Sequence, residues 1–329
     1  MNENKPLVSI ILPTYNRAEI VGNAIESALN QSYKNIEIII VDDGSKDDTE
    51  KVVNDFKENT DKITYIKHED NKGQAAAENT GVKLSNGQYI AFLDSDTVWL
   101  PKKIEKQLNK LVNSPDNVVA VYCGAYNEVC GFLKESKADT IYGNSYEELL
   151  AGRVKITTST LMIKTSCIEE CGMWDTDLPS YIDYDLCLRI AQEYEFTSVQ
   201  SPLLISLNYS GPRVSTDLES KIDGLDCIIG KWGEEMETKL GKGANKRFRN
   251  QGLSSIYQTV AMHVVKNGQK YLGIEMYAYH LIYCNKISVK MLALFIITTI
   301  NNDLANFIKK IWYKIHGKEK KAVLEAVSS

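Results

Sequence analysis

The sequence is poor in the features that most quickly assign a chain to a class. Its seven cysteines (Cys123, Cys130, Cys167, Cys171, Cys187, Cys227 and Cys284) contain no Cys-x-x-Cys pair, and their number is odd. A disulfide framework or zinc knuckle is therefore not expected, and the thiols read as small buried groups of a reducing compartment. The four histidines, His68, His263, His280 and His316, show no metal-ligand spacing and are expected at the surface or as satisfied core residues. No Gly-x-Gly-x-x-Gly follows a strand, and there is no P-loop, which excludes a dinucleotide dehydrogenase and a P-loop enzyme. The longest apolar run, Met291–Ile300, is about half of what spans a bilayer. Met1–Pro6 is polar and carries no signal-peptide core. A cytoplasmic protein is expected, either free or peripheral at the inner face of the plasma membrane. A net charge of −5 argues against a nucleic-acid partner, and there is no internal repeat or low-complexity segment.

What is present is an alternation of strand-like and helix-like stretches. Leu7–Leu12, Ile36–Val41, Ile63–Ile66, Tyr89–Leu93 and Val118–Tyr122 are short apolar, β-branched runs that predict strands. Between them, Ala18–Gln31, Asp47–Phe56, Gln74–Leu84 and the segment opened by Pro101 carry apolar residues at helical spacing. Strand–helix–strand order implies an α/β fold with a mainly parallel sheet flanked by helices. Beyond about Ser215 the pattern becomes all-helical, with a helix pair at Asn245–Lys266 and Gln269–Asn285 broken at Asn267-Gly268. Two domains are expected, 1–216 and 217–329, with the boundary between Ser215 and Leu218.

Ligands of such sheets bind outside the carboxyl ends of the strands, and three of those ends are polar here. Pro13-Thr14-Tyr15-Asn16-Arg17 follows the first strand, Asp42-Asp43-Gly44-Ser45 the second, and Asp94-Ser95-Asp96 the fourth. Asp-x-Asp alone is a weak signal, because turns favour Asp for local hydrogen bonding. Placed where a buried strand enters the crevice, it suits a hard divalent ion that shares its oxygens with a phosphate. Capping of the following helix explains Asp47 or Asp48 well but two adjacent aspartates, Asp42 and Asp43, poorly.

Four of these segments, Val8–Arg17, Val41–Ser45, Asn71–Gly81 and Phe92–Asp96, together resemble glycosyltransferase family 2, whose members have the GT-A fold. The resemblance continues through Thr158–Met162, Cys171–Asp175 and Asp183–Arg189, and covers roughly residues 7–215. It implies an inverting, metal-dependent transferase of the hexosyltransferase type, moving a sugar from a nucleotide-diphosphate donor to an acceptor hydroxyl in surface polysaccharide or glycan synthesis. Residue by residue, it implies that Pro13, Tyr15 and Asn16 line the donor site, with Tyr15 near the base face. Asp43 bonds the base with Asp42 in support. Asp94 lies by the ribose beside Ser95, and Asp96 holds Mn²⁺ or Mg²⁺. Asp183 matches the general base, although a carboxylate in a helix's first turn is also favoured by the helix dipole alone. Asp185 is its rival, better suited to bonding backbone or fixing the helix. A UDP-sugar donor is expected, with guanosine or thymidine donors as alternatives.

Two positions depart from the family pattern. Glu78 stands where many relatives carry Arg, and Ser206–Ser215 stands where relatives have a basic or His-containing loop over the diphosphate. Arg213 is the candidate there, with a surface arginine as the plain alternative. From Asn285 onward eight lysines face three acids, a cationic tail on an acidic protein. Leu304, Phe307, Ile308, Ile311, Trp312 and Ile315 recur at helical spacing among these lysines. That face could lie on an anionic membrane, which would suit a lipid-linked glycan acceptor, or pack against protein. Two other functions stay open: a sugar-nucleotide-binding partner subunit without catalysis, and a sugar-nucleotide pyrophosphorylase, against which the absence of its Gly-rich basic loop speaks.

Overall fold

The computed structural model describes residues 5–129, 132–141, 145–207, 217–266 and 268–284. Arg213, Ser215 and the cationic tail lie outside these residues.

The amino-terminal half alternates as its sequence predicts. Strand β1 (Val8–Thr14) leads to α1 (Val21–Leu29), β2 (Ile36–Asp42) to α2 (Thr49–Lys57), β3 (Ile63–Lys67) to α3 (Gln74–Leu84), and β4 (Tyr89–Phe92) follows. β1 pairs in parallel with β2 and β4, and β2 with β3. Helix α1 starts later than the apolar spacing suggests, because residues 18–20 form a turn in which the Arg17 carbonyl accepts from both Ile20 and Val21.

Next come β5 (Thr97–Trp99), α4 (Lys103–Val112), β6 (Val118–Val129), β7 (Phe132–Ser136), α5 (Ser145–Leu150), β8 (Met162–Lys164), α6 (Thr165–Glu170), α7 (Ile182–Glu193) and β9 (Glu195–Ser206). The strands form one nine-stranded sheet in the order β3-β2-β1-β4-β8-β6-β9-β5, with β7 added to β6. The pairings make β1, β2, β3, β4, β6 and β9 run one way and β5, β7 and β8 the other. The sheet is thus mainly parallel in direction, with short reversed strands inserted in its second half. The chain ends its described part with three helices, α8 (Leu218–Leu240), α9 (Ala244–Lys266) and α10 (Lys270–Tyr283).

The two-residue period of a strand sorts β1 cleanly. Val8, Ile10 and Leu12 pack with α1 and α4 residues on one face, while Ile11 joins Phe92, Trp174 and Leu186 on the other. All of these are fully or almost fully buried, and each such side chain contributes about 1.5–3 kcal/mol. Helix α3 lies so close to β1 that a Cβ on Gly81 would meet Ile11 Cγ2 at 2.4 Å, so the position needs glycine. Ile228, Trp232, Met236 and Ala244 of the C-terminal helices enter the same core as α7. The carboxyl ends of β1, β2 and β4 are in register at one edge, and every polar cluster singled out above lies there.

Candidate active site

The loop after β1 is locked to the loop after β2. The Asn16 amide donates to Ser45 Oγ (2.8 Å) and its side-chain Oδ1 accepts from the Lys46 amide (2.8 Å). Asn16 adopts a left-handed conformation (φ 51°), which Asn tolerates better than most residues. Asp48 stands at the N-cap of α2 without a side-chain cap bond, and Asp47, one residue before it, meets the start of the helix instead. Asp47 accepts from Thr49 at the start of α2, through both amide and hydroxyl, and from the Ala18 amide. Pro13 is half-buried beside these contacts, whereas Tyr15, 40 % exposed, presents its ring at the sheet edge.

The adjacent aspartates have separate tasks. The wholly buried Asp42 takes the Ser45 amide (2.7 Å) on one oxygen and the Tyr65 hydroxyl (2.7 Å) on the other, which closes its own turn. Asp43 reaches across to the loop before α3 and accepts from the Lys72 (2.9 Å) and Gly73 (2.8 Å) amides. It also pairs with His68 Nδ1 (2.7 Å), whose Nε2 meets Thr80 Oγ1 (3.0 Å). His68 is thus satisfied in the interior, yet it steadies a candidate site residue. An isolated histidine with no ligand spacing gave no sign of that. Gly44, between these turns, has φ 83°, and a Cβ there would stand 3.0 Å from the Asp70 backbone, both of which suit glycine.

Asp94, Ser95 and Asp96 form a turn between β4 and β5, closed by the Thr97 amide on the Asp94 carbonyl (3.0 Å). All three are half-buried. One Asp94 carboxylate oxygen accepts from Ser159 Oγ (2.5 Å), the other from Gln74 Nε2 (3.4 Å). The Asp96 carbonyl accepts from Leu207 at the end of β9 (2.9 Å). Among the described residues no three His, Cys, Asp or Glu groups converge as a metal cage. The donor set still fits Mg²⁺ or Mn²⁺, ions that take one or two protein carboxylates and fill their shell with phosphate oxygens and water.

Asp183 lies in the first turn of α7, its Oδ1 accepting from the Tyr184 amide (2.8 Å). Its carboxylate also takes the backbone N–H of Thr158. The short turn Thr158–Thr160 therefore touches Asp183 through one residue and Asp94 through the next. Burial raises the Asp183 pKa above the ordinary carboxylate value, opposed by the Lys221 ammonium and these amide bonds. Asp185 has a different function, because it is fully buried and bonded to Arg189 Nε (2.8 Å), Lys231 Nζ (2.8 Å) and Trp232 Nε1 (3.0 Å). It fixes helix α7 to α8.

Glu78 is fully buried one turn beyond Gln74, and among the described residues neither carboxyl oxygen has a hydrogen-bond partner within normal geometry. Burial, and then the Asp94 charge, raise its pKa well above the ordinary 4.5, opposed by the Gln74 side chain. The sign is fixed: a raised native pKa gives stability that is complete below the unfolded value and is lost as pH rises through the folded value. Glu78→Gln removes that loss. The variant is expected to gain about 1–3 kcal/mol relative to wild type between roughly pH 5 and pH 8, measured by urea unfolding at both pH values.

These sites sit in a recognised setting. The family model described as Glycosyl transferase family 2 matches residues 9–167. A Rickettsia prowazekii protein described as an uncharacterized glycosyltransferase is 40 % identical over 277 residues, 81 % of this chain and 82 % of that one. The chain belongs to glycosyltransferase family 2. Four further rickettsial relatives are spanned over between 27 % and 62 % of their own length. The Escherichia coli UDP-Glc:alpha-D-GlcNAc-diphosphoundecaprenol beta-1,3-glucosyltransferase WfaP is 48 % identical over 103 residues, 31 % of this chain and 40 % of that enzyme. Two solved structures share the GT-A fold. Staphylococcus aureus TarS 1–349 in complex with UDP-GlcNAc superposes with a TM-score of 0.57, at 14 % identity over 84 % of this chain and 91 % of that one. The Pyrobaculum calidifontis mannosyltransferase PcManGT with GDP-Man and Mn²⁺ gives 0.52, at 18 % identity over 98 % of this chain and 86 % of that one. This family 2 glycosyltransferase carries Asp183 and all of α8 beyond the segment that the family model covers.

Proposed function

We propose that this glycosyltransferase inverts the anomeric centre of a UDP-sugar and transfers it to a hydroxyl of a glycan or lipid-linked glycan, with Asp183 as general base and Asp96 as metal ligand. The observation that carries the reading is the Thr158–Ser159 bridge, which joins the Asp183 carboxylate to the Asp94 carboxylate at the strand edge. A sugar hydroxyl is a weak nucleophile, and a carboxylate beside it takes its proton as the new bond forms. Displacement from the face opposite the diphosphate then inverts the centre. Tyr15 and Pro13 line the base pocket, Asp43 bonds the base edge with Asp42 holding the turn, Asp94 and Ser95 face the ribose, and Asn16 joins the two loops. Arg213, outside the described residues, is the candidate contact to the diphosphate, with a surface arginine as the alternative. A bound Mn²⁺ or Mg²⁺ supplies charge neutralisation for the departing diphosphate.

The lipid-linked acceptor and the uridine base draw on the WfaP likeness, and the metal on the PcManGT complex. A membrane role falls to the cationic tail. Among the described residues no helix is long and apolar enough to cross a membrane. Proton NMR of the sugar first released when an α-linked UDP-sugar is hydrolysed tests the stereochemistry. The β-anomer should appear first; first release of the α-anomer would overturn inversion.

A further inference from the structure

Helix α8 lies beyond the family-model match, yet its first turns press on the segment that introduces α7. Ser220 Oγ donates to the Pro179 carbonyl (2.9 Å), and Ser180 Oγ donates to the Ser220 carbonyl (2.9 Å). The two backbones approach so closely that a Cβ on Gly224 would meet Ser180 Oγ at 2.1 Å. Asp217 caps α8 through the Ser220 amide. Further along, Lys231 and Trp232 grip Asp185, and Lys231 also takes Asp175 (2.8 Å). Helix α7 is therefore held by α8 at both ends of the stretch that contains Asp183.

Inside this clamp stands Lys221. Its ammonium lies 5.0 Å from the centre of the ring of Tyr181, two residues before Asp183, and its charge acts on the Asp183 carboxylate without a direct ion pair. Tyr181 itself has φ 61°, a left-handed conformation that a bulky residue keeps only when its surroundings enforce it. Among the described residues, the other groups around Asp183 bring no compensating positive charge. Asp185 is bound to Arg189 and Lys231. Burial keeps the Cys187 thiol and Tyr181 hydroxyl neutral, the latter with its pKa raised to about 12. Thr158 and Tyr184 contribute only backbone N–H groups.

We propose that Lys221, seated over Tyr181 by α8, is the positioning residue of the general base and favours the charged form of the Asp183 carboxylate. The active site is thus completed by a helix outside the segment that the family model matches. This inference rests on Asp183 being the base. Burial disfavours the Asp183 anion, and the ammonium opposes that penalty. Lys221 loses proton affinity through its own burial and regains part of it from Asp183, so the two charges stabilise each other. Proton abstraction needs the carboxylate, so the benefit shows where Asp183 would otherwise be protonated.

The test is the pH–rate profile of nucleoside-diphosphate release by the full chain, at saturating donor and Mn²⁺, for wild type, Lys221→Met, Lys221→Arg and Asp183→Asn. Lys221→Met should move the acid limb upward by about one pH unit, lowering the rate about tenfold on that limb and leaving the alkaline plateau within about threefold. Lys221→Arg should restore the wild-type limb. A loss by the same factor at every pH, or an unmoved limb, overturns the proposal while an inactive Asp183→Asn keeps the base reading. Wild-type turnover by Asp183→Asn would overturn both. Circular dichroism melts accompany each variant, and Lys221→Gln replaces Lys221→Met under the same criteria if the latter does not fold.

Discussion

Replacing Asp183 with asparagine is expected to lower kcat by about 10²–10⁴-fold while donor affinity stays within about twofold. Asparagine preserves the size of the side chain and an oxygen for the Tyr184 and Thr158 amides, so the N-terminal turn of α7 should survive. It loses the ability to accept a proton. The change belongs in kcat rather than KM because the lost interaction is made only as the acceptor hydroxyl is deprotonated. The pH dependence has a fixed sign. Burial raises the Asp183 pKa, so the wild-type rate should rise with pH through a limb above the ordinary carboxylate range. Single-turnover kinetics with donor in excess, beside donor binding by calorimetry, separates the two quantities. A variant that loses binding and turnover together would mark Asp183 as a donor contact instead.

Asp96→Ala is expected to be nearly as damaging, by about 10²–10³-fold in turnover, and to remove the response to added Mn²⁺. The carboxylate occupies the tight turn between β4 and β5, whose backbone is set by the Thr97–Asp94 and Leu207–Asp96 bonds. Those bonds use main-chain atoms, so alanine leaves the turn intact and the melting temperature should change little. The discriminating readout is the Mn²⁺ titration of donor binding. Wild type should bind the nucleotide sugar at least tenfold more tightly with metal, and Asp96→Ala should bind it equally with and without. An unchanged metal dependence would move the metal to other residues.

The sequence carries the amino-terminal half of this fold because each strand there is a continuous apolar run and each helix an amphipathic one. Gln74–Leu84 coincides with α3, and the three polar strand ends meet at one edge because parallel register brings them there. The reversed strands β5, β7 and β8 are three to five residues long and too short to show a period. Their positions depend on partners distant in sequence. The same holds for the site. Asp43, Asp94, Asp96 and Asp183 stand in recognisable segments, but the Thr158–Ser159 bridge, His68 against Asp43, and the Lys221 charge acting on Asp183 are long-range relations with no local signature. Glu78 was visible as a departure from the family pattern. Its meaning, a carboxyl whose pKa burial and the neighbouring Asp94 raise, emerges only from its burial. Asp185, legible as a rival base, is explained by Trp232 and Lys231 from a helix that begins more than thirty residues later.

The most direct measurement is nucleoside-diphosphate release by the full chain from a panel of UDP-, GDP- and dTDP-sugars, with Mn²⁺ and with EDTA. Hydrolysis reports the donor before the acceptor is known. The account predicts slow turnover of a UDP-sugar that EDTA abolishes and Mn²⁺ restores. Failure to bind any sugar nucleotide in the presence of metal, or release of sugar phosphate in place of nucleoside diphosphate, would contradict it.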